Sequence, residues 1–232
     1  MNRNGNTYTF IYASVMVIIV AAILSFTAIT LKPYQKRNIE IEKKQNILTS
    51  INIATTADVA EKIYGEKITN SYVINSKGEV VKGDAFTVDL KKEHAKPLDK
   101  RVMPVFEANL GEAGTKYVIP LRGAGLWGPI WGYIALNDDM NTVYGATFDH
   151  AGETPGLGAK IATAEFQAPF KGKTLFDANG DFVSLVVAKA GEKADEIHKV
   201  DAISGGTITS KGLQKMLFDD LSGYVEFFNK KK

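Results

Sequence analysis

Residues Val200–Gln214 read VDAISGGTITSKGLQ, where an acid, two adjacent glycines and four hydroxyl side chains lead into an amphipathic run. Working outward toward the C-terminus, Leu213, Met216, Leu217, Leu221, Val225 and Phe228 recur near helical spacing. This spacing predicts a helix from Ser210 to about Phe228 that covers a sheet with one face. A turn into a helix needs one capping hydroxyl and one glycine, so Ser204, Thr207, Thr209 and Ser210 together exceed what the turn requires. The surplus points to a ligand: glycines let it approach the backbone, and a helix N-terminus offers amide donors to an anion.

Upstream, KYVIPL, GLWGPIWGYIAL, VYGATFDH, FQAPF and FVSLVVAK are short and rich in β-branched and aromatic residues, and they predict strands. SYVINSKGEVVKG predicts a hairpin about Ser76-Lys77-Gly78, and EHAKPLDKRVMP reads as a surface connection. Ile47, Leu48, Ile51, Val59 and Ile63 form a helical stripe that breaks near TTAD. The fold class expected is α+β, a twisted, mainly antiparallel sheet flanked by helices and preceded by one transmembrane helix.

That helix is the 24-residue stretch from Tyr8 to Leu31, which carries no charge and lies between Arg3 and the cluster Lys32, Lys36 and Arg37. At about 1.5 Å per residue it covers a hydrocarbon core about 30 Å thick, with Tyr8, Tyr12 and Tyr34 placed near the interfaces. It exceeds the apolar region of a signal peptide, and SFTAITLKP lacks a clean Ala-x-Ala cleavage site, so an uncleaved anchor is expected. The division expected is 1–34 transmembrane anchor, 35–123 membrane-proximal α/β region and 124–228 ligand-binding domain.

Composition narrows the chemistry. Lys+Arg 28 against Asp+Glu 26 leaves a net charge of +2, with the basic residues scattered, which argues against nucleic acid. The absence of cysteine excludes disulfides, thiolate metal sites and thiol catalysis. GGTITSKG has Ser210 and Gly212 where a phosphate loop needs glycine and a hydroxyl, and GLGAKI has Ile161 in place of a third glycine. Asp149, His150 and Glu153 in DHAGE read as a polar turn, because neither the spacing nor a second histidine completes a metal site. No Gly-x-Ser-x-Gly elbow is present.

What remains is GETPGLG (Gly152–Gly158), DAISGGTITS (Asp201–Ser210) and RGAGLWGPIWGY, with Trp127 or Trp131 as a flat face: a set suited to an aromatic ring bearing a phosphate. The stretch Asp201-Ala-Ile-Ser204-Gly205-Gly206-Thr207 resembles the Asp-x-x-Ser/Thr-Gly-Ala-Thr motif of FMN-binding domains that carry the flavin on the final threonine. The whole layout is similar to the C subunits of Na+-translocating NADH:quinone oxidoreductases, whose relatives are the G subunits of Rnf ferredoxin:NAD oxidoreductases. The resemblance implies FMN joined through its phosphate to Thr207, with Asp201, Ser204, Gly205, Gly206 and Thr209 around the attachment. It also implies that Glu153, Thr154, Leu157, Gly158 and Trp127 line the flavin.

By the same resemblance the protein is an electron-transfer subunit with no catalytic residues and no metal of its own. A flavin transferase using FAD and magnesium matures it, and it works with the other subunits at a bacterial inner membrane, its soluble part periplasmic. Gly206 departs from the motif's alanine, a change expected to loosen the loop and lower the efficiency of modification. Ser210 is expected to cap the helix, with Ser204 and Thr209 bonding loop amides or phosphate. The alternative from a different class is a membrane-tethered, non-redox binding domain whose glycine loop is merely a helix cap.

Overall fold

The computed structural model describes residues 5–189 and 191–231, so Arg3 and Lys232 lie outside the described residues. The helices are α1 (Asn6–Ser50), α2 (Ala60–Lys67), α3 (Leu90–His94), α4 (Ala164–Gln167), α5 (Thr207–Gly223) and α6 (Val225–Lys231). The strands are β1 (Ile68–Ile74), β2 (Val80–Val81), β3 (Met103–Asn109), β4 (Thr115–Ala124), β5 (Pro129–Leu136), β6 (Val143–His150), β7 (Val186–Ala188) and β8 (Lys199–Asp201). Two compact units divide the chain, Met1–Lys43 and Lys44–Lys232.

Within the first unit, α1 supplies the one helix among the described residues that is long and apolar enough to cross a membrane. Phe10, Val17, Ile18, Leu24 and Phe26 are exposed along it. Two of its polar side chains turn inward on the backbone: Thr27 donates to the Ile23 carbonyl and Thr30 to the Phe26 carbonyl, which satisfies both hydroxyls without water.

The second unit is built on a six-stranded sheet in the order β2-β1-β3-β4-β5-β6, antiparallel throughout. Alternation along each strand gives the sheet two apolar faces. Ile74, Val105, Ile119, Leu121, Ile130, Ile134 and Phe148 share one core with Leu213, Met216, Leu217 and Leu221 of α5 and with Phe227 and Phe228 of α6. Their neighbours Val73, Phe106, Val118, Tyr133 and Ala135 share the other with Ile47, Leu48 and Ile51. The sheet takes strands from both the 35–123 and the 124–228 regions, and β4 itself ends at Ala124, on the boundary between them. Each buried aliphatic side chain contributes about 1.5–3 kcal/mol, so α5, with four of them on one core, is held mainly by burial.

Several elements depart from the sequence expectation. FQAPF forms α4 and a 3-10 turn, with Phe166 N–H reaching the Thr163 hydroxyl at 3.4 Å and the Phe148, Phe166 and Phe170 rings packed edge to face. So short an apolar run has no periodicity to separate helix from strand. Of FVSLVVAK only Val186–Ala188 is strand, paired in parallel with β8 outside the main sheet. EHAKPLDKRVMP is tied down: the Glu93 carboxylate accepts from Val102 N–H and from Lys96, and His94 Nε2 lies 2.8 Å from Asp220 Oδ1. The C-terminal helix begins at Thr207 and divides at Tyr224, whose hydroxyl donates to the Pro104 carbonyl at 2.9 Å.

Helix α5 lies close on the end of β4, and Gly212 permits it: a Cβ there would stand 2.2 Å from the Ala124 carbonyl oxygen. Gly212→Ala is therefore expected to destabilise by about 1–3 kcal/mol, although alanine is the better helix former. Chemical denaturation checks this, and a midpoint equal to or above the parent's would show that the helix does not seat there.

Candidate functional site

The three segments singled out in the sequence converge on one buried carboxylate. Glu153, 5% exposed, accepts from the backbone N–H of Trp127 through Oε1 at 2.8 Å and from the Thr209 hydroxyl through Oε2 at 2.5 Å. It thereby joins the β4–β5 turn, the loop after β6 and the first turns of α5. Gly125 and Gly158 make room, since a Cβ on either would fall 2.4 Å from a Glu153 carboxylate oxygen. His150 Nδ1 accepts the Glu153 N–H at 3.1 Å, which makes DHAGE the turn that aims this side chain inward.

Around the clamp the apolar groups point outward. Trp127 is 67% exposed, with Leu126 beside it, on a turn closed by Gly125 N–H to the Gly128 carbonyl. Leu157 and Ile208 are also exposed. Thr154 uses its carbonyl to accept from Leu157 and Ala159 and is itself exposed. Trp131 is half-buried within β5, opposite Asp149.

The loop from Ser204 to Thr207 follows from its glycines. Gly205 has φ +76°, and a Cβ there would also meet Leu157 Cδ2 at 2.7 Å. Gly206 is the N-cap of α5 and has no side chain to offer, so no side chain caps the first-turn amides. No acid occupies that first turn. Thr207 opens the helix, half-buried, beside these donors. This is a cradle suited to a phosphate ester.

Other placements differ from expectation. Ser210 lies inside α5, and its Oγ accepts the Ile203 N–H at 3.1 Å, bracing the loop from within instead of capping the helix. Thr209 is likewise set within the helix, its hydroxyl spent on Glu153. Ser204 is exposed on a cavity of about 530 Å³ that Asp201 also lines. The Asp201 carboxylate, 86% exposed, stands 4.0 Å from Lys199 Nζ. At Gly206 an alanine Cβ would come 2.9 Å from Ile203 Cγ2, so the glycine accommodates Ile203 beneath the loop. Sequence reasoning missed Gly212 and the inward role of Glu153; a glycine within a helical pattern was the one available signal for the first.

Residues 125–222 match the family model of the FMN-binding domain, so the class that fold and site define is a flavin mononucleotide-binding domain. The C subunit of the Na(+)-translocating NADH-quinone reductase of Haemophilus ducreyi is 32% identical over 91% of this chain and 88% of its own length. Its counterpart in Neisseria meningitidis is 32% identical over 100% of this chain and 96% of its own. The crystal structure of the corresponding C subunit from Parabacteroides distasonis is 48% identical, with a TM-score of 0.79 over 85% of this chain and 96% of that one. Shewanella oneidensis NqrC gives 28% and 0.71 over 85% and 98%. The chain belongs to the family of Na(+)-translocating NADH-quinone reductase C subunits.

The clamp predicts a graded mutational series. Glu153→Ala leaves the Trp127 N–H and the Thr209 hydroxyl without their acceptor and is expected to destabilise by about 2–4 kcal/mol. Glutamine can still accept from Trp127 and donate to Thr209 Oγ1, so Glu153→Gln should lose less than about 1 kcal/mol. Thermal denaturation of both variants tests the order; equal losses would show that volume, not hydrogen bonding, holds the three segments.

Proposed function

We propose that the protein is the flavin-carrying electron-transfer subunit of a Na+-translocating NADH:quinone oxidoreductase, with FMN esterified through its phosphate to Thr207. The observation that carries this reading is the uncapped start of α5, where Thr207, two glycines and first-turn amides without a capping side chain meet at one point. The site fits the group: the amides and the positive end of the helix dipole suit a phosphodiester, and Leu157 and the exposed Trp127 offer apolar and aromatic surface to a ring. Bound there, FMN supplies one- and two-electron chemistry, while the chain positions it and sets its electrostatic surroundings.

A threonine hydroxyl is a weak nucleophile, and Thr207 has no base bonded to it among the described residues, which supports modification by a separate flavin transferase using FAD and magnesium. In that step Thr207 Oγ bonds to the FMN phosphorus, the bond to AMP breaks, and the hydroxyl proton passes to a base. Asp201, exposed six residues upstream, is available to such an enzyme. Ser204 and Gly205 are exposed next to Thr207, Gly206 adds no side chain there, and the Gly158 amide lies beside Gly206.

Residues 1–34 are proposed to anchor the chain in a bacterial inner membrane and 124–228 to hold the flavin, with 35–123 between. The soluble part is proposed to be periplasmic. Lys32, Lys36 and Arg37 would favour the opposite side, but long domains translocate largely regardless of flanking charge. The other subunits of the oxidoreductase complex are its redox partners.

Two experiments test this. With a flavin transferase co-expressed, Thr207→Val should fold yet show no flavin fluorescence on a denaturing gel, whereas Thr209→Val and Ser204→Ala keep some; covalent flavin on Thr207→Val would move the attachment. Reporters fused after Lys232 should be active only if they work in the periplasm, and activity of a cytoplasm-only reporter would reverse the topology.

A further inference from the structure

Thr207 borders a second space. A cavity of about 460 Å³ runs along one face of α5, from Thr207 past Lys211, Gln214 and Lys215 to Phe218, and is closed by the segment 183–187. No residue of the Glu153–Gly158 loop lines it. Its floor holds an anomaly. Ser184 is 1% exposed, sits at φ 63° where a serine is strained, and its hydroxyl has no hydrogen-bond partner. A buried hydroxyl without a partner is unfavourable to keep and marks a place where a partner arrives from outside the chain.

Two lining carboxylates are already engaged, Glu192 by the Lys189 N–H and Asp219 by Lys215, and three other groups say what that partner is. Lys211 is exposed one helical turn from Thr207 on the same face and, unlike Lys215, which pairs with Asp219 at 2.7 Å, makes no ion pair among the described residues. Gln214 spends its carbonyl oxygen on Val187 N–H at 3.1 Å and keeps its amide donors. At the far end Phe218 is 50% exposed, packed against Phe182 at 5.8 Å. A ligand that is anionic beside Thr207, has a hydrogen-bonding edge midway and is flat and aromatic at the end meets all three. From Thr207 to Phe218 is about 16 Å at 1.5 Å per residue, the scale of an extended ribityl phosphate with its ring.

We infer that this groove is a second resting position for the flavin carried by Thr207, with Lys211 facing the phosphodiester, Ser184 and Gln214 the polar edge of the ring, and Phe218 its far end. The carrier then has two addresses about one tether, the Trp127–Leu157 surface and the α5 groove, and exchange between them moves the ring relative to donor and acceptor. The inference rests on attachment at Thr207.

The test uses the flavin-loaded full chain. Indole in contact with a flavin quenches its emission, so Trp127→Phe removes the quencher at the first position and Phe218→Trp installs one at the second. In the Trp127→Phe background, Phe218→Trp is expected to lower flavin emission by about two-fold or more through ring contact. Adding Ser184→Ala, which removes the hydroxyl that meets the ring edge, should restore part of it. Ser184→Ala should raise the melting temperature of the flavin-free Thr207→Val chain and lower that of the loaded chain, because only the loaded chain uses the hydroxyl. Emission unchanged by Phe218→Trp, or equal thermal shifts in both forms, would overturn the groove while leaving the attachment standing. Covalent flavin retained by Thr207→Val would overturn both.

Discussion

The Glu153 carboxylate is the constraint on which the site depends. It holds the Trp127 turn with one oxygen and helix α5 with the other, and the loop that carries it, through Leu157, packs on Gly205. A carboxylate this buried is tolerated because hydrogen bonds from a backbone amide and a hydroxyl replace its lost hydration. The arrangement turns the polar group inward and leaves Trp127, Leu157 and Ile208 outward, the reverse of an ordinary surface. Exposed apolar groups on a rigid support suit contact with an aromatic ligand such as flavin mononucleotide.

Helix α5 transmits that order to Thr207. Near its start Thr209 is tied to Glu153 and Gly212 rests on the Ala124 carbonyl; near its end Asp220 accepts the Arg122 N–H at 2.7 Å and meets His94. Burial raises the Asp220 carboxyl above its usual range, opposed by the His94 and Arg122 hydrogen bonds. The helix is thus fixed on strand β4 at two places, so its first residue is placed by the sheet rather than by its own flexible loop.

Among the elements, those with strong local signals were legible. The uncharged stretch from Tyr8 to Leu31, the hairpin about Gly78 and the apolar stripe from Leu213 to Leu221 each carry their structure in periodicity or turn chemistry, although the helix bearing that stripe starts at Thr207 and gives way to α6 after Tyr224. FQAPF was not legible, because its aromatic residues fit either a strand or the two short turns they form, and packing of Phe166 and Phe170 decided between them. His94 and Glu93 fall in the stretch read as a surface connection; one is a partner of α5 and the other of the Val102 amide across the connection.

By itself the sequence determined the class of site: Asp201 to Thr207 and GETPGLG are motifs whose residue order carries the resemblance, and backbone-level facts such as the glycine at 205 are local. Only the tertiary structure decided which hydroxyls are spent within the fold. Thr209 and Ser210 are as polar as Thr207 in the sequence, but the turn of the helix carries them into the core, where Glu153 and the Ile203 amide consume them. The α5 groove was equally hidden, because the orphaned Ser184 hydroxyl and Lys211 are brought together by the packing of α5 against segment 183–187. Partners distant in sequence meet through burial, and burial is a property of the folded whole that no local pattern contains.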